Sequence, residues 1–151
     1  MTEVRRTIPA SPEAVWAVLA DAWNYPAWVV GASRARAVSA DWPEVGSVLH
    51  HSVGVWPLVL DDRTTVTRCE KHRRLVLRGG AWPFGEADID FALYPLPDGS
   101  CEVVLTEDAA KGPARLLPGA VRNLLIAPRN VEVLRRLGYL ASRRATADPQ
   151  D

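Results

Sequence analysis

Two adjacent histidines, His50 and His51, are the side chains best suited to moving protons near neutral pH. They fall in a stretch, 47–55, that reads as a strand, so one faces the interior and the other faces away. Val48 shares the parity of His50 and favours it as the inward residue. Leu49 and Val53 share the parity of His51 and favour the other choice. An inward His in an apolar interior could act as general acid or base. The plainer reading is a hydrogen-bonded interior His or an exposed edge residue. Asp61-Asp62-Arg63 poses the same question. Neighbours on a strand point opposite ways, so the two acids are not a catalytic dyad. One of them must point inward, and a buried carboxylate must pair or shift its pKa. Arg63, Arg68 or Arg78 could be the partner. A structural ion pair is the plainer account, and a polar anchor for a ligand hydroxyl or carbonyl is the other. No catalytic residue is assigned; His50 and Asp62 are the candidates, and which member of each pair faces inward stays open.

The other chemistry-bearing residues narrow the classes. Cys69, Cys101 and three histidines offer no CxxC and no HExxH, so no structural zinc site is expected. No phosphate-cradling or nucleophile-elbow motif occurs, and Gly79-Gly80 reads as a bare pair in a turn. No metal and no cofactor is expected. Residues 85–108 carry seven acids and no Lys or Arg, which reads as a solvated outer sheet face. Residues 112–145 carry seven Arg against one Glu, a basic helix that could touch anionic lipid or RNA. A solvated helix face is the plainer account. Over the whole chain 18 basic residues balance 18 acidic ones, which speaks against a dedicated nucleic-acid module. Trp is over-used, at six against three Tyr and two Phe. The Trp residues fall on the first helix or in loops. They read as rim packing, with Trp28, Trp56 and Trp82 as candidates for the mouth of an apolar cavity.

These residues need elements to position them. At 151 residues, 48% hydrophobic and 24% charged, the chain has the length and composition of one domain, expected over 1–145 with a polar tail at 146–151. Glu3 to Pro9 reads as a strand. Ser11-Pro12-Glu13 then starts a helix: a capping hydroxyl, a preset φ and an acid at the positive end. Pro26 biases Tyr25 away from helix, so 23–30 reads as a turn with a second short helix. Strands are expected at 34–40, 47–55, 58–70, 75–79, 85–96 and 100–108. Pro97-Asp98-Gly99 separates the last two. Ala87, Ile89, Phe91 and Leu93, then Cys101, Val103 and Leu105, alternate with polar residues, which means antiparallel strands with one buried face. Residues 115–144 turn helical. Pro128 cannot donate to Leu124, so a break or sharp kink is expected there, with a longer helix from about 127 to 144.

The order is α+β, and a long amphipathic helix laid across a strongly curled antiparallel sheet would leave a cavity between them. The chain resembles the helix-grip START/Bet v 1-like (SRPBCC) superfamily, within it the bacterial polyketide cyclase/dehydrase and lipid-transport group. Ile8 to Trp16, "I-x-A-x-P-E-x-V-W", carries the resemblance, with Asp21 to Trp28, "D-x-W-N-Y-P-x-W". Val103 to Glu107 and Asn130 to Leu137, "N-x-E-x-L-R-R-L", complete it over roughly 3–144. The resemblance implies a helix-grip fold of six to seven strands around the C-terminal helix, with two short helices after the first strand. It implies binding of a small apolar ligand such as a polyketide, lipid or isoprenoid. Trp28, His50, Asp62, Arg78, Phe91, Leu105 and Leu134 are the candidate ligand-binding residues. A cyclase or dehydratase using an inward His or Asp is the alternative, and an interaction module working through the basic helix is a further one. With no apolar leader and no run long enough to span a bilayer, a cytoplasmic monomer or homodimer that binds no nucleic acid is expected.

Overall fold

The computed structural model describes residues 1–80 and 85–147. The expected Trp82 contribution lies outside these residues. Strand β1 (Thr2–Ile8) leads into helix α1 (Pro12–Leu19), a 3-10 turn (Ala22–Asn24) and the one-turn helix α2 (Tyr25–Trp28). Six strands follow: β2 (Ala32–Val38), β3 (Val48–Val55), β4 (Leu58–Glu70), β5 (Arg74–Gly80), β6 (Glu86–Pro95) and β7 (Cys101–Lys111). A 3-10 turn (Pro113–Leu116) leads to the long helix α3 (Gly119–Ala147). All strand neighbours are antiparallel, in the order β1-β7-β6-β5-β4-β3-β2. This is the curled seven-stranded helix-grip arrangement.

Local chemistry explains the start. The Ser11 hydroxyl accepts the Ala14 N–H at 3.1 Å, Pro12 sits in the first turn, and Val15, Trp16, Val18 and Leu19 form the buried face of α1. Helices α1 and α2 and the C-terminal half of α3 close over one face of the sheet. Val133, Leu134, Leu137 and Ala141 of α3 meet Ile8, Val103, Leu105 and Phe91 in one apolar core.

Three expectations are corrected. Helix α3 runs unbroken through Pro128. Pro128 and Leu124 lie on the exposed side, so the Leu124 carbonyl that loses its N–H partner faces solvent rather than protein. Gly79-Gly80 is the end of β5, not a turn: Gly79 stands opposite Thr64 and Ala87, and Gly80 opposite Glu86. The strand expected at 34–40 begins and ends two residues earlier, where Ala32 pairs with Val53 and Val38 with Leu49.

Candidate functional site

Between the sheet and α2–α3 lies a cavity of about 620 Å³. Its apolar wall includes Val29, Val53, Ala87 and Ile89, and its polar residues are Tyr25, His51, Asp61, Asp62, Thr64, Glu107 and Arg129. Register brings the first polar group together. His51 stands opposite Asp62 in the β3–β4 pair, and Leu49 opposite Thr64, so all four side chains share the inner face. His51 is buried at 4% exposure, and its Nε2 lies 2.9 Å from the Thr64 hydroxyl. Its Nδ1 has no hydrogen-bond partner among the described residues. Burial pushes the His51 pKa below its ordinary value, and the Asp62 charge opposes this in part. The ring is therefore neutral at pH 7, with one donor and one acceptor nitrogen.

Glycine makes room for the carboxylate opposite. A Cβ at Gly80 would lie 2.3 Å from Asp62 Oδ1. The same Oδ1 accepts the Arg63 N–H at 2.7 Å, which holds the carboxylate at the cavity rim. Asp61, one residue earlier, is exposed and anchored by Arg36 at 3.3 Å and the Ser52 hydroxyl at 2.9 Å. Arg36 also donates to the His51 and Asp62 carbonyls, which ties the backbones of β3 and β4 from the edge strand.

Tyr25 of α2 packs beside His51. Its ring centroid is 5.2 Å from His51 and 5.2 Å from Trp28, and Trp28 meets Phe91 edge-on at 5.6 Å. Burial raises the Tyr25 pKa, and the Thr64 hydroxyl acts against that rise. The phenol stays protonated. On the α3 side, Arg129 Nη1 pairs with Glu107 Oε2 at 3.1 Å, and Arg129 Nε donates to the Val30 carbonyl at 3.3 Å. This contact fastens the long helix to both β7 and the loop after α2.

The candidates from the sequence separate into three groups. Asp62 borders the cavity. His50 does not: it is exposed and His51 takes the inward place, because the parity of Leu49 and not that of Val48 marks the core face. Arg78 lies on the outer face, where it makes a two-pronged pair with Asp88 at 2.8 Å. Trp28, Phe91, Leu105 and Leu134 are core residues. The first three border a second, much smaller space beside the cavity, and Leu134 borders neither. Trp56 is 83% exposed at the β3–β4 hairpin tip. Glu107, read as part of the acidic outer face, points inward, because it keeps the parity of Val103 and Leu105. Thr64 and Glu107 were visible as parity partners of Asp62 and Leu105. Tyr25 and Arg129 gave no such signal: a one-turn helix is too short for a periodic face, and the basic helix face read as solvated.

Among the described residues, no three His, Cys, Asp or Glu side chains gather where they could hold a metal ion. Nor is any described helix long and apolar enough to cross a membrane.

No curated protein matches the sequence. Solved structures do share its fold. An aromatase/cyclase, Zhui, from Streptomyces sp. R1128 is 21% identical, with 95% of this chain and 93% of that chain covered at a TM-score of 0.69. A START superfamily protein from Mycobacterium smegmatis is 15% identical, with 94% and 97% covered at 0.70. A Staphylococcus aureus protein of unknown function is 8% identical, with 96% and 94% covered at 0.72. Identities this low carry the fold alone. The family model described as polyketide cyclase / dehydrase and lipid transport matches residues 1–138, nearly the whole length of β1 to α3, and the chain belongs to that family.

Proposed function

We propose that the chain binds a small, mostly apolar molecule in the cavity, and that His51, Thr64 and Asp62 meet a polar group of that molecule. One observation carries this reading: a buried, neutral His with a free ring nitrogen borders a cavity whose other walls are largely apolar. At about 620 Å³ the space falls in the range of small-molecule sites. The family description, which spans cyclisation, dehydration and lipid transport, agrees with such a ligand. The free thiols of Cys69 and Cys101 suit the reducing cytoplasm. Calorimetric titration with 2-naphthol tests the reading. Saturable binding is expected, weakened about tenfold by His51→Ala, the loss of one buried hydrogen bond. Absence of saturable binding, or equal binding by the variant, overturns it.

A cyclase or dehydratase is the second reading. The free Nδ1 of His51 favours it, because a neutral buried imidazole can take a proton from a bound substrate. It requires that His51→Ala and Asp62→Asn abolish turnover of a polyketide substrate while the melting temperature holds. The basic helix offers less support for an interaction module. Arg122, Arg129, Arg135, Arg136 and Arg144 are all engaged in ion pairs with Asp108, Glu107, Glu132 and Asp21.

A further inference from the structure

The second space lies deeper than the cavity and measures about 10 Å³, room for a single oxygen-sized group. Tyr25, Val29, Ile89 and Arg129 border both spaces, so the two adjoin. The rest of the small one is closed by apolar Leu77, Phe91, Leu105 and Val133, together with Trp28 and Asn130. Trp28 and Asn130 are 2% and 1% exposed. Trp28 Nε1 and Asn130 Nδ2 have no hydrogen-bond partner among the described residues.

Both groups are donors. An indole N–H can only donate. The Asn130 amide is oriented by its neighbour: Arg129 Nη1 donates to Asn130 Oδ1 at 3.4 Å, and a guanidinium cannot accept, so the end left over is the NH₂. Two residues that each carry a buried, unpartnered donor thus border one small space with mostly apolar walls, and burying a donor without an acceptor is unfavourable. We infer that this space is an acceptor subsite, filled by the carbonyl oxygen of a ligand whose body occupies the larger cavity. A neutral carbonyl fits better than a carboxylate, because the Arg129 charge is already met by Glu107. The inference rests on the ligand-binding reading and gives that ligand a direction. Its ketone or ester oxygen enters between α2 and α3, and its polar group at the other end meets His51 and Thr64.

The test pairs 2-acetylnaphthalene with 2-isopropenylnaphthalene, which replaces the carbonyl oxygen by a CH₂ of similar shape. Each is titrated into protein with ¹⁵N-labelled tryptophan, and the Trp28 indole signal is identified by its loss in Trp28→Phe. The ketone is expected to bind about tenfold more tightly than the alkene. It is also expected to move the Trp28 N–H signal downfield, where the alkene does not. Asn130→Leu is expected to erase most of the preference while leaving the alkene's affinity in place. If that variant does not fold, the wild-type comparison decides alone. Equal binding of both compounds with the Trp28 signal unmoved overturns the subsite while leaving the cavity reading intact, and means an ordered water only. Binding of neither compound overturns both.

Discussion

His51 Nε2 and the Thr64 hydroxyl meet at 2.9 Å across the β3–β4 pair, and this contact fixes the imidazole at the cavity wall. A hydroxyl can donate or accept, so Thr64 serves either tautomer of the ring. The unpartnered Nδ1 then holds a proton or a lone pair, according to the tautomer.

That contact has a pH signature. The folded-state pKa of His51 lies below its ordinary value of 6.5, because burial disfavours the charged ring. The unfolded chain therefore binds the proton more readily. The stability contributed by neutral His51 is complete above about pH 6.5 and falls as the pH drops toward the lower folded-state value. His51→Gln is expected to flatten this part of the profile. Melting temperatures from pH 8 to pH 5 check it: wild type should lose more than the variant below pH 6.5, and parallel curves would contradict the assignment.

The Glu107–Arg129 pair should behave as a unit. Glu107 is 9% exposed, so Arg129→Met leaves a carboxylate buried without its partner. The expected cost is about 2 kcal/mol, below that of a fully buried pair because Arg129 reaches solvent. Adding Glu107→Leu should recover most of it. Urea unfolding of the two single variants and the double variant measures the coupling, and additive losses would show that the two residues act separately.

Gly80→Ala tests the space left for Asp62. The added Cβ would lie 2.3 Å from a carboxylate oxygen, the mobile end of a side chain. Asp62 should swing away and lose the Arg63 N–H, at a cost of about 1 kcal/mol. The fold is expected to hold by circular dichroism while 2-naphthol affinity changes. An unchanged affinity would remove Asp62 from the binding site.

Leu134→Ala separates core from cavity. Leu134 is fully buried and borders neither space, so its truncation is expected to cost about 3 kcal/mol, as a core cavity does. Affinity for 2-naphthol should stay within about twofold, since less than 0.5 kcal/mol of binding energy is at stake. A large affinity loss with little destabilisation would put Leu134 on the ligand instead.

Pro128→Ala asks what the helix gives up. With the missing N–H restored and the position exposed, α3 should gain about 1–2 kcal/mol. A higher melting temperature is the expected result. A lower one would mean that the proline's rigidity matters more than the lost bond.

Much of this protein is determined by local chemistry that a linear reading can reach. The Ser11-Pro12-Glu13 start of α1 and the alternation of Phe91, Leu93, Val103 and Leu105 are short-range patterns. Each follows from what a few neighbouring residues can satisfy. Period-2 alternation also guaranteed that one of His50 and His51 would face inward. It could not choose between them, because Val48 and Leu49 are both apolar, and the pairing of β3 with β2 and β4 decides which face the helices cover. Arg78 shows the same limit: its Asp88 partner comes from the next strand, and only register brings them together. Tyr25, Glu107 and Arg129 lie far apart in sequence, and they share a cavity because the sheet curls around α3. The chain sets which residues can do chemistry, and the tertiary closure of sheet and helix decides which of them meet.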